Sequence, residues 1–589
     1  MTTDSTSKDQ EIFNKDKLQI ITERVDDVPL LIAQMLRMGI PEIIDRHIPR
    51  HGNQRDLSWG WTTVIWMAYI LTEGDHRKVS MSEYVEEMQN TLLCIAGRPI
   101  VALDFSDDRL AHLLKHLSNR EYWSKIEDDL NKQSIEVYDL KPETIRCDAT
   151  TVSADQAITE DGLVQFGHSK DNTKLPQIKL MSAALDPLGM PLASDVVSGE
   201  KADDGLYIPL ISRVSDSLKK NGLLFSGDCK MSALETRAHL VSSGHHYLCP
   251  LPLTGKTADE MKTWINEGIS KDQEKILIPV FRENYKGIVV LAAKGYEFSR
   301  IQTFQKKAEE ITWPERVFVV HSPAHARQQS AGLNIRLTKA KEKLEKLTPL
   351  PGRGRRQISD EAELVAAIAK IIKAHNVEDL LEAQFEKQVE QKMKYVGKGR
   401  GGVNRETIVV EKVRYQITSV ERNQKKIADE KTRFGWKAFV TEVDFDKLSL
   451  HDAILSYRNE YRVERIFGRL KSRLNIAPLF VKKDDQIEGM TYLLTLCVRV
   501  LTLIEFVVRR SLKEEKTELP DMHPENHKKT TAKPSAEKIL KAFSKVNLTI
   551  ICDMAGNVIM RSLKPLSNLQ KQIIQKLGLD SSIYTQLEI

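Results

Sequence analysis

Several things are scarce in this 589-residue chain, and each scarcity excludes something. Its six cysteines, Cys94, Cys147, Cys229, Cys249, Cys497 and Cys552, form no Cys-x-x-Cys pair, which argues against a structural zinc site or a disulfide framework. Their scattered, mostly apolar settings suit reduced thiols in a cytoplasmic protein. Charge of one sign is also scarce. A formal net charge of +5 is only mildly basic, so any nucleic-acid contact must come from local clusters. The start, Met1-Thr-Thr-Asp-Ser-Thr-Ser-Lys-Asp9, lacks the apolar core of a signal peptide. No uninterrupted apolar run reaches the ~18 residues that span a bilayer. The longest, Met490 to Val508, contains Arg499 and Glu505 and reads as a buried helix.

What is present is a globular composition, 41% hydrophobic and 29% charged, over a length that implies two to four domains. Residues 1–17 are polar and expected to be disordered, and 18–140 are helical in pattern. Val28 to Gly39 repeats apolar residues at helical spacing and ends on a C-cap glycine. Trp59 to Leu71 is too apolar for a surface helix, so Trp59, Trp61 and Trp66 read as core. From Thr144 the period shortens to that of strands. Strands are expected at 144–152, 177–186 and 191–198, with Asp186-Pro-Leu-Gly189 turning between the last two. Helices at 204–219 and 231–243 then alternate with strands at 222–228 and 246–251. That order predicts an α/β fold, a mixed sheet of ribonuclease H-like type over 141–251.

Residues 252–440 break the rhythm and read as an inserted β-rich and helical domain. Strands are expected at 288–293, 316–321, 407–418 and 436–443, with a charged helical region at 359–395. Two basic stretches, Pro351-Gly-Arg-Gly-Arg-Arg356 and Gly397-Lys-Gly-Arg-Gly-Gly402, punctuate it. Arg353, Arg355 and Arg356 suit phosphate contacts, or simply a solvated loop. The core resumes at 441–510 with helices near 450–473 and 486–510, and 511–589 read as a polar linker and a small helical tail.

Three acids stand out: Asp148 in Arg-Cys-Asp148-Ala-Thr-Thr, Asp228 in Ser-Gly-Asp228-Cys-Lys, and Glu464 on an amphipathic segment. Asp148 and Asp228 end apolar strand-like runs, where α/β sheets place ligands. A helix through 457–471 would set Tyr457, Glu460, Glu464, Phe467 and Lys471 on one face. Three carboxylates brought together would hold a pair of hard cations for phosphodiester chemistry. Taken singly, such residues are more often caps and surface ion pairs. His245-His246-x-x-Cys249 mixes zinc-ligand types but lies in an apparent strand and reads as core packing. His168 to Asp171 suit either the groove beside Asp148 or an ordinary loop.

The chain resembles insertion-sequence DDE transposases carrying a Tyr-x2-Arg-x3-Glu-x6-Lys motif, with a β-rich insertion before the final Glu. The residues that match are Tyr457, Glu464 and Lys471, with Cys147-Asp148-Ala-Thr-Thr, Phe166-Gly-His-Ser-Lys-Asp171, Gly227-Asp228-Cys-Lys and Phe439-Val-Thr-Glu442 in order. Asp26-Asp-Val-Pro-Leu-Leu-Ile-Ala-Gln34 resembles the helical domain preceding the core in one branch, so the resemblance covers roughly residues 20–510. It implies metal-dependent cleavage and strand transfer at insertion-sequence ends, with two Mg²⁺ or Mn²⁺ ions on Asp148, Asp228 and Glu464. It also implies that Tyr457 and Lys471 grip the DNA backbone, that the N-terminal helices bind DNA ends, and that a homodimer pairs terminal repeats with target DNA. The expected location is the cytoplasm, at the nucleoid.

One departure stands out: the motif's Arg position holds Glu460, leaving Arg458 or Arg462 as the phosphate contact. Glu460 also rivals Glu464 as third ligand, but only Glu464 keeps the six-residue gap to Lys471. The alternatives are a nuclease on the same core, which cuts without joining, and a DNA-binding protein without catalysis.

Overall fold

The computed structural model describes residues 18–588, apart from 51–56, 170, 284–286, 307–308, 397–405, 459–460, 523–524 and 527–528. The chain forms two compact units, one of residues 1–249, 303–313 and 456–589, the other of residues 250–302 and 314–455.

In the first unit, the strands Met190–Ser198, Gln177–Leu185, Thr144–Ser153, Leu224–Gly227 and His246–Pro250 lie side by side in that order. The first three are antiparallel neighbours, and the last two continue parallel to Thr144–Ser153. All nine residues of Gln177–Leu185 are buried, as a central strand covered on both faces requires. The expected strands and helices of 144–251 all form, with ends displaced by a few residues at most. Gly189, at φ +71°, closes the expected turn.

Helix Asp484–Glu515 is the centre of this unit. It is long and apolar enough to cross a membrane by length and composition, yet 94% of its apolar window is buried inside the protein. Its neighbours are specific. Tyr492 stacks on Trp123 of helix Arg120–Tyr138 with ring centroids 4.4 Å apart and planes 8° from parallel. Gly489 lets helix Asp107–Leu117 approach closely, because a Cβ there would sit 2.1 Å from the Leu114 carbonyl oxygen. The two charges that interrupt the run are both used. Arg499 donates to Asn131 Oδ1 at 2.9 Å. Glu505 accepts from Arg469 at 2.6 Å, from Arg509 at 2.7 Å and from Arg465.

The ends of the chain depart from the expected pattern. Strand Leu18–Arg24 pairs with Asn547–Asp553, which pairs in turn with Val558–Leu563. The tail is therefore not helical alone. The alternation in Asn547–Asp553, half of it buried, is the period-two signal that marks a strand. The polar linker also starts later than expected, since the long helix runs on to Glu515.

The second unit holds strands Ile278–Glu283 and Trp436–Thr441 and most of Val289–Lys306 and Glu309–His321, with Trp436 opposite His321 and Thr441 opposite Arg316. The charged helical region expected over 359–395 is half wrong. Helix Glu361–Ala374 forms, but Leu381–Tyr395 is a strand paired with Thr407–Arg422. Val389 and Met393 fall at helical spacing, while Leu381, Ala383 and Phe385 alternate; strand pairing wins because Leu381 and Val420 share a core. The stretch 397–402 lies outside the described residues.

Glu505 is buried among cations, and removing it would take one of two carboxylates from the buried Arg469, which keeps Glu537 at 3.1 Å, and leave Arg465 and Arg509 without the partner they share. Glu505→Ala should therefore cost on the order of 3–5 kcal/mol of stability, the range for breaking a buried ion pair from one side. Thermal unfolding followed by circular dichroism would show the drop, and an unchanged midpoint would refute this role.

Candidate active site

Asp148 and Asp228 lie on neighbouring strands. Thr144–Ser153 and Leu224–Gly227 run parallel with Cys147 opposite Gly227, so the two aspartates occupy the next position of the same register. Parallel pairing spaces such residues about one inter-strand distance, ~4.8 Å, apart. Asp228 follows its strand as expected, but Asp148 sits in mid-strand, which continues to Ser153. Both side chains are half-buried.

Asp228 is held from two sides. Tyr207 donates to its Oδ1 at 2.7 Å, and the Lys230 backbone N–H donates to the same atom at 2.8 Å. Tyr207 opens helix Tyr207–Leu218 and is almost wholly buried. Burial first, then the Asp228 and Asp148 charges, hold its phenol far above the usual tyrosine range, so it stays a donor. Both aspartates act on this one hydroxyl. Nothing in the sequence around Tyr207 announced the role, because a tyrosine at a helix start is ordinary. On the first aspartate, the Ala149 N–H donates to Asp148 Oδ1 at 2.7 Å.

Glu464 is exposed on helix Tyr461–Gly468, which packs against strands Thr144–Ser153 and Gln177–Leu185. The continuous helical face expected over 457–471 does not form. One helix ends at Tyr457, a second begins at Tyr461, and Arg469–Arg473 winds into a π-helical turn. Phe467 is buried while Glu464 is not, so these two do not share a face. Glu460 and the side chain of Arg462 lie outside the described residues. Among the described residues no three His, Cys, Asp or Glu side chains converge closely enough to hold a metal ion. The donor chemistry at the two aspartates still suits a hard cation: adjacent carboxylates, with Asp228 Oδ1 engaged by two donors.

Two anchors orient the Glu464 segment. Arg146, on the Asp148 strand, donates to the Ser456 carbonyl at 2.6 Å and to Asp186 at 2.9 Å, fixing the chain just before Tyr457. Arg465 and Arg469, one turn apart, both reach Oε2 of Glu505. Tyr457 and Arg458 are half-buried.

Lys471 is already paired. Its ammonium contacts both carboxylate oxygens of Asp171, at 2.7 and 2.9 Å. Asp171 belongs to the loop between strands Thr144–Ser153 and Gln177–Leu185, which is tied down where Gln156 donates to the Leu479 and Val481 carbonyls, each at 2.8 Å. His168 of the same loop borders a 330 Å³ cavity beside the Asp148 strand, with Thr150, Thr151, Lys179, Lys201 and Lys230. Lys179 there is paired with Asp203 at 2.6 Å.

The other sequence candidates fall where packing explains them. His245 is buried edge-on to Phe225, with ring centroids 5.5 Å apart. Trp59 and Trp66 are core, and Trp61 is half-buried. Arg353, Arg355 and Arg356 are exposed in a loop of the second unit.

If Tyr207 fixes Asp228 for a cation, Tyr207→Phe should weaken Mn²⁺ binding by about 10–100-fold, the usual cost of losing an outer-shell hydrogen bond. Titration calorimetry measures it, and wild-type affinity in the variant would remove Tyr207 from the site.

Six chains of solved structures match this one. Among them is a cryo-EM structure of a piggyBac transposase synaptic complex with hairpin DNA, at 8% identity and a TM-score of 0.34 over 97% of this chain and 86% of that one. No curated protein matches. The family model described as the transposase DDE domain matches residues 140–501, a span that contains both aspartates, the Glu464 helix and Lys471. By that match over more than half its length, the chain belongs to the DDE transposase family.

Proposed function

We propose that this protein cuts DNA at the ends of an insertion sequence and joins the freed ends to target DNA. The observation that carries the reading is the adjacency of Asp148 and Asp228 on parallel strands around one buried tyrosine hydroxyl, inside the span of the family match. The strand order of the first unit, three antiparallel strands followed by two parallel ones, supports a ribonuclease H-like core. The helical segments that precede it are proposed to bind DNA ends.

Asp148, Asp228 and Glu464 are assigned as the ligands of two Mg²⁺ or Mn²⁺ ions. When bound, such ions activate the attacking oxygen and neutralise charge on the leaving oxygen. The protein's own part is positional. Tyr207 and the Lys230 N–H hold one oxygen of Asp228, leaving the other for the ligand. Arg146 and Glu505 set the course of the Glu464 segment. Lys471 and Tyr457 grip the DNA backbone near the scissile phosphate, with Arg458 or Arg462 in place of the motif's arginine. Water attacks the phosphodiester at the element's end, freeing a 3′-hydroxyl. That hydroxyl then attacks a second strand in line, without a covalent protein–DNA intermediate. Two protomers pair the two ends. A nuclease on the same core would stop after the first step.

Asp171 holds the ammonium that this mechanism gives to a phosphate. Asp171→Asn should therefore tighten duplex binding and steepen the salt dependence of log K by about 0.9, one added phosphate contact. Fluorescence anisotropy across a salt series measures both, and an unchanged slope would show that Lys471 does not meet DNA.

The deciding assay is cleavage of a duplex carrying the element's ends, with Mn²⁺, by wild type and Glu464→Gln. The variant should bind but cut at least about a hundredfold more slowly, since a metal-assisted step loses several kcal/mol with its ligand. Cutting at the wild-type rate would reject Glu464 and turn attention to Glu460. Nicking without joining by wild type would favour the nuclease, and binding without cutting by both would favour a DNA-binding protein.

A further inference from the structure

In the second unit, strands Leu381–Tyr395 and Thr407–Arg422 form a two-stranded antiparallel sheet of their own. Its base is rooted in a small core where Leu381 and Val420 meet Leu333, Leu337, Val377 and Ile427. Beyond Phe385 that support ends. No residue of 386–395 or 407–416 is buried, although Val389, Met393, Tyr395 and Val409 are large and apolar. Ten residues of strand extend about 30 Å. A two-stranded ribbon standing free in water is marginally stable at best, and exposed apolar side chains on it mark a surface that meets something.

The register sorts the ribbon's charges. Gln388 faces Arg414, Glu390 faces Lys412, Lys392 faces Val410 and Lys394 faces Ile408, so these eight residues share one face. It carries four cations and one carboxylate. Toward the base the cationic face also takes Glu386, and the opposite face, from Lys387 to Tyr395 and Thr407 to Tyr415, carries one cation, Lys387, and one carboxylate, Glu411. Alternate residues on a strand repeat every ~6.8 Å, so Lys394 and Lys392 on one strand continue diagonally into Lys412 and Arg414 on the other, one cation at each level. Glu390 pairs with Lys392 at 3.1 Å, which leaves the face with a clear positive excess. A two-stranded ribbon is also narrow enough to enter the ~12 Å major groove of a DNA duplex.

From this sorting of charge we infer that the ribbon is a duplex-DNA contact, with Lys392, Lys394, Lys412 and Arg414 on the phosphates. The inference rests on DNA as the partner, not on the assignment of the three acids. It adds a second DNA-binding element, supplied by the insert and separate from the Asp148 and Asp228 strands.

The test uses the full chain and a fluorescein-labelled duplex of about 30 base pairs of arbitrary sequence, titrated at several salt concentrations. Lys392→Gln/Lys394→Gln/Arg414→Gln should lower the slope of log K against log salt by about 2.7, three contacts at about 0.9 each. Affinity near 0.1 M salt should fall at least about tenfold, with melting temperature and mass by light scattering unchanged. Wild-type slope and affinity in the variant would overturn the inference while leaving DNA as the partner. Failure of wild type itself to bind the duplex would remove both. A second variant, Met393→Ser/Val409→Thr, guards against the other occupant. If it changes the oligomeric mass while the cation variant leaves DNA binding intact, the ribbon is a protein interface and the inference is wrong.

Discussion

The carboxylate of Glu505 is the constraint on which the arrangement around Glu464 depends. A charge placed two-thirds of the way along an apolar helix is costly to bury unless it is paired and hydrogen-bonded. Here Arg465 and Arg469 reach it from the Glu464 segment, Arg509 from one turn along its own helix, and the Ala536 N–H from the next helix at 3.2 Å. The pairing does more than offset desolvation. It ties a short helix followed by a π-helical turn, neither of them stable alone, to the long buried helix at the centre of the unit. With Arg465 and Arg469 turned inward, Glu464 is left facing outward. Without that charge at 505, nothing would draw Arg465 and Arg469 inward together and so select which face of the Glu464 helix turns to the core.

The two aspartates are held on a different principle. Their closeness follows from the ladder of a parallel strand pair, which is rigid and needs no charge to set it. Two carboxylates so close repel one another, and the surroundings answer with neutral donors: the Tyr207 hydroxyl and the Lys230 and Ala149 N–H groups. Such donors hold carboxylate oxygens without cancelling their charge, the condition a hard cation requires. Nearby cations are spent elsewhere, Lys179 on Asp203 and Lys471 on Asp171. The pair of aspartates is thus flanked by lysines already held by carboxylates.

Much of the core was legible because its signals are local. Strands 144–153, 177–185 and 190–198 are short apolar runs bounded by turn residues, and the Pro-Leu-Gly189 turn needs a positive φ that glycine supplies. Asp148 and Asp228 were visible as acids placed against such runs. The long apolar helix was legible too, and its two charges read as a sign of burial rather than of a membrane. Other readings failed where a local pattern was ambiguous. Residues 381–395 satisfy a helical and a strand period together, and only the partner strand at 407–422 decides. The segment 457–471 has a clean helical face on paper, yet one helix ends at Tyr457 and Arg469–Arg473 winds into a π-helical turn.

Sequence by itself therefore determined the order and kind of the core elements and the identity of the candidate acids. These follow from periodicity and turn chemistry, which act over a few residues. Tertiary structure alone decided which groups meet across tens to hundreds of positions: Lys471 with Asp171, Arg146 with the Ser456 carbonyl, Glu505 with Arg469, and strand Leu18–Arg24 with Asn547–Asp553. It also picked out Tyr207, whose hydroxyl bonds Asp228 and feels the Asp148 charge, contacts no neighbour in the chain announces. The physical reason is that burial, charge pairing and strand register are properties of position in space, which local sequence pattern does not encode.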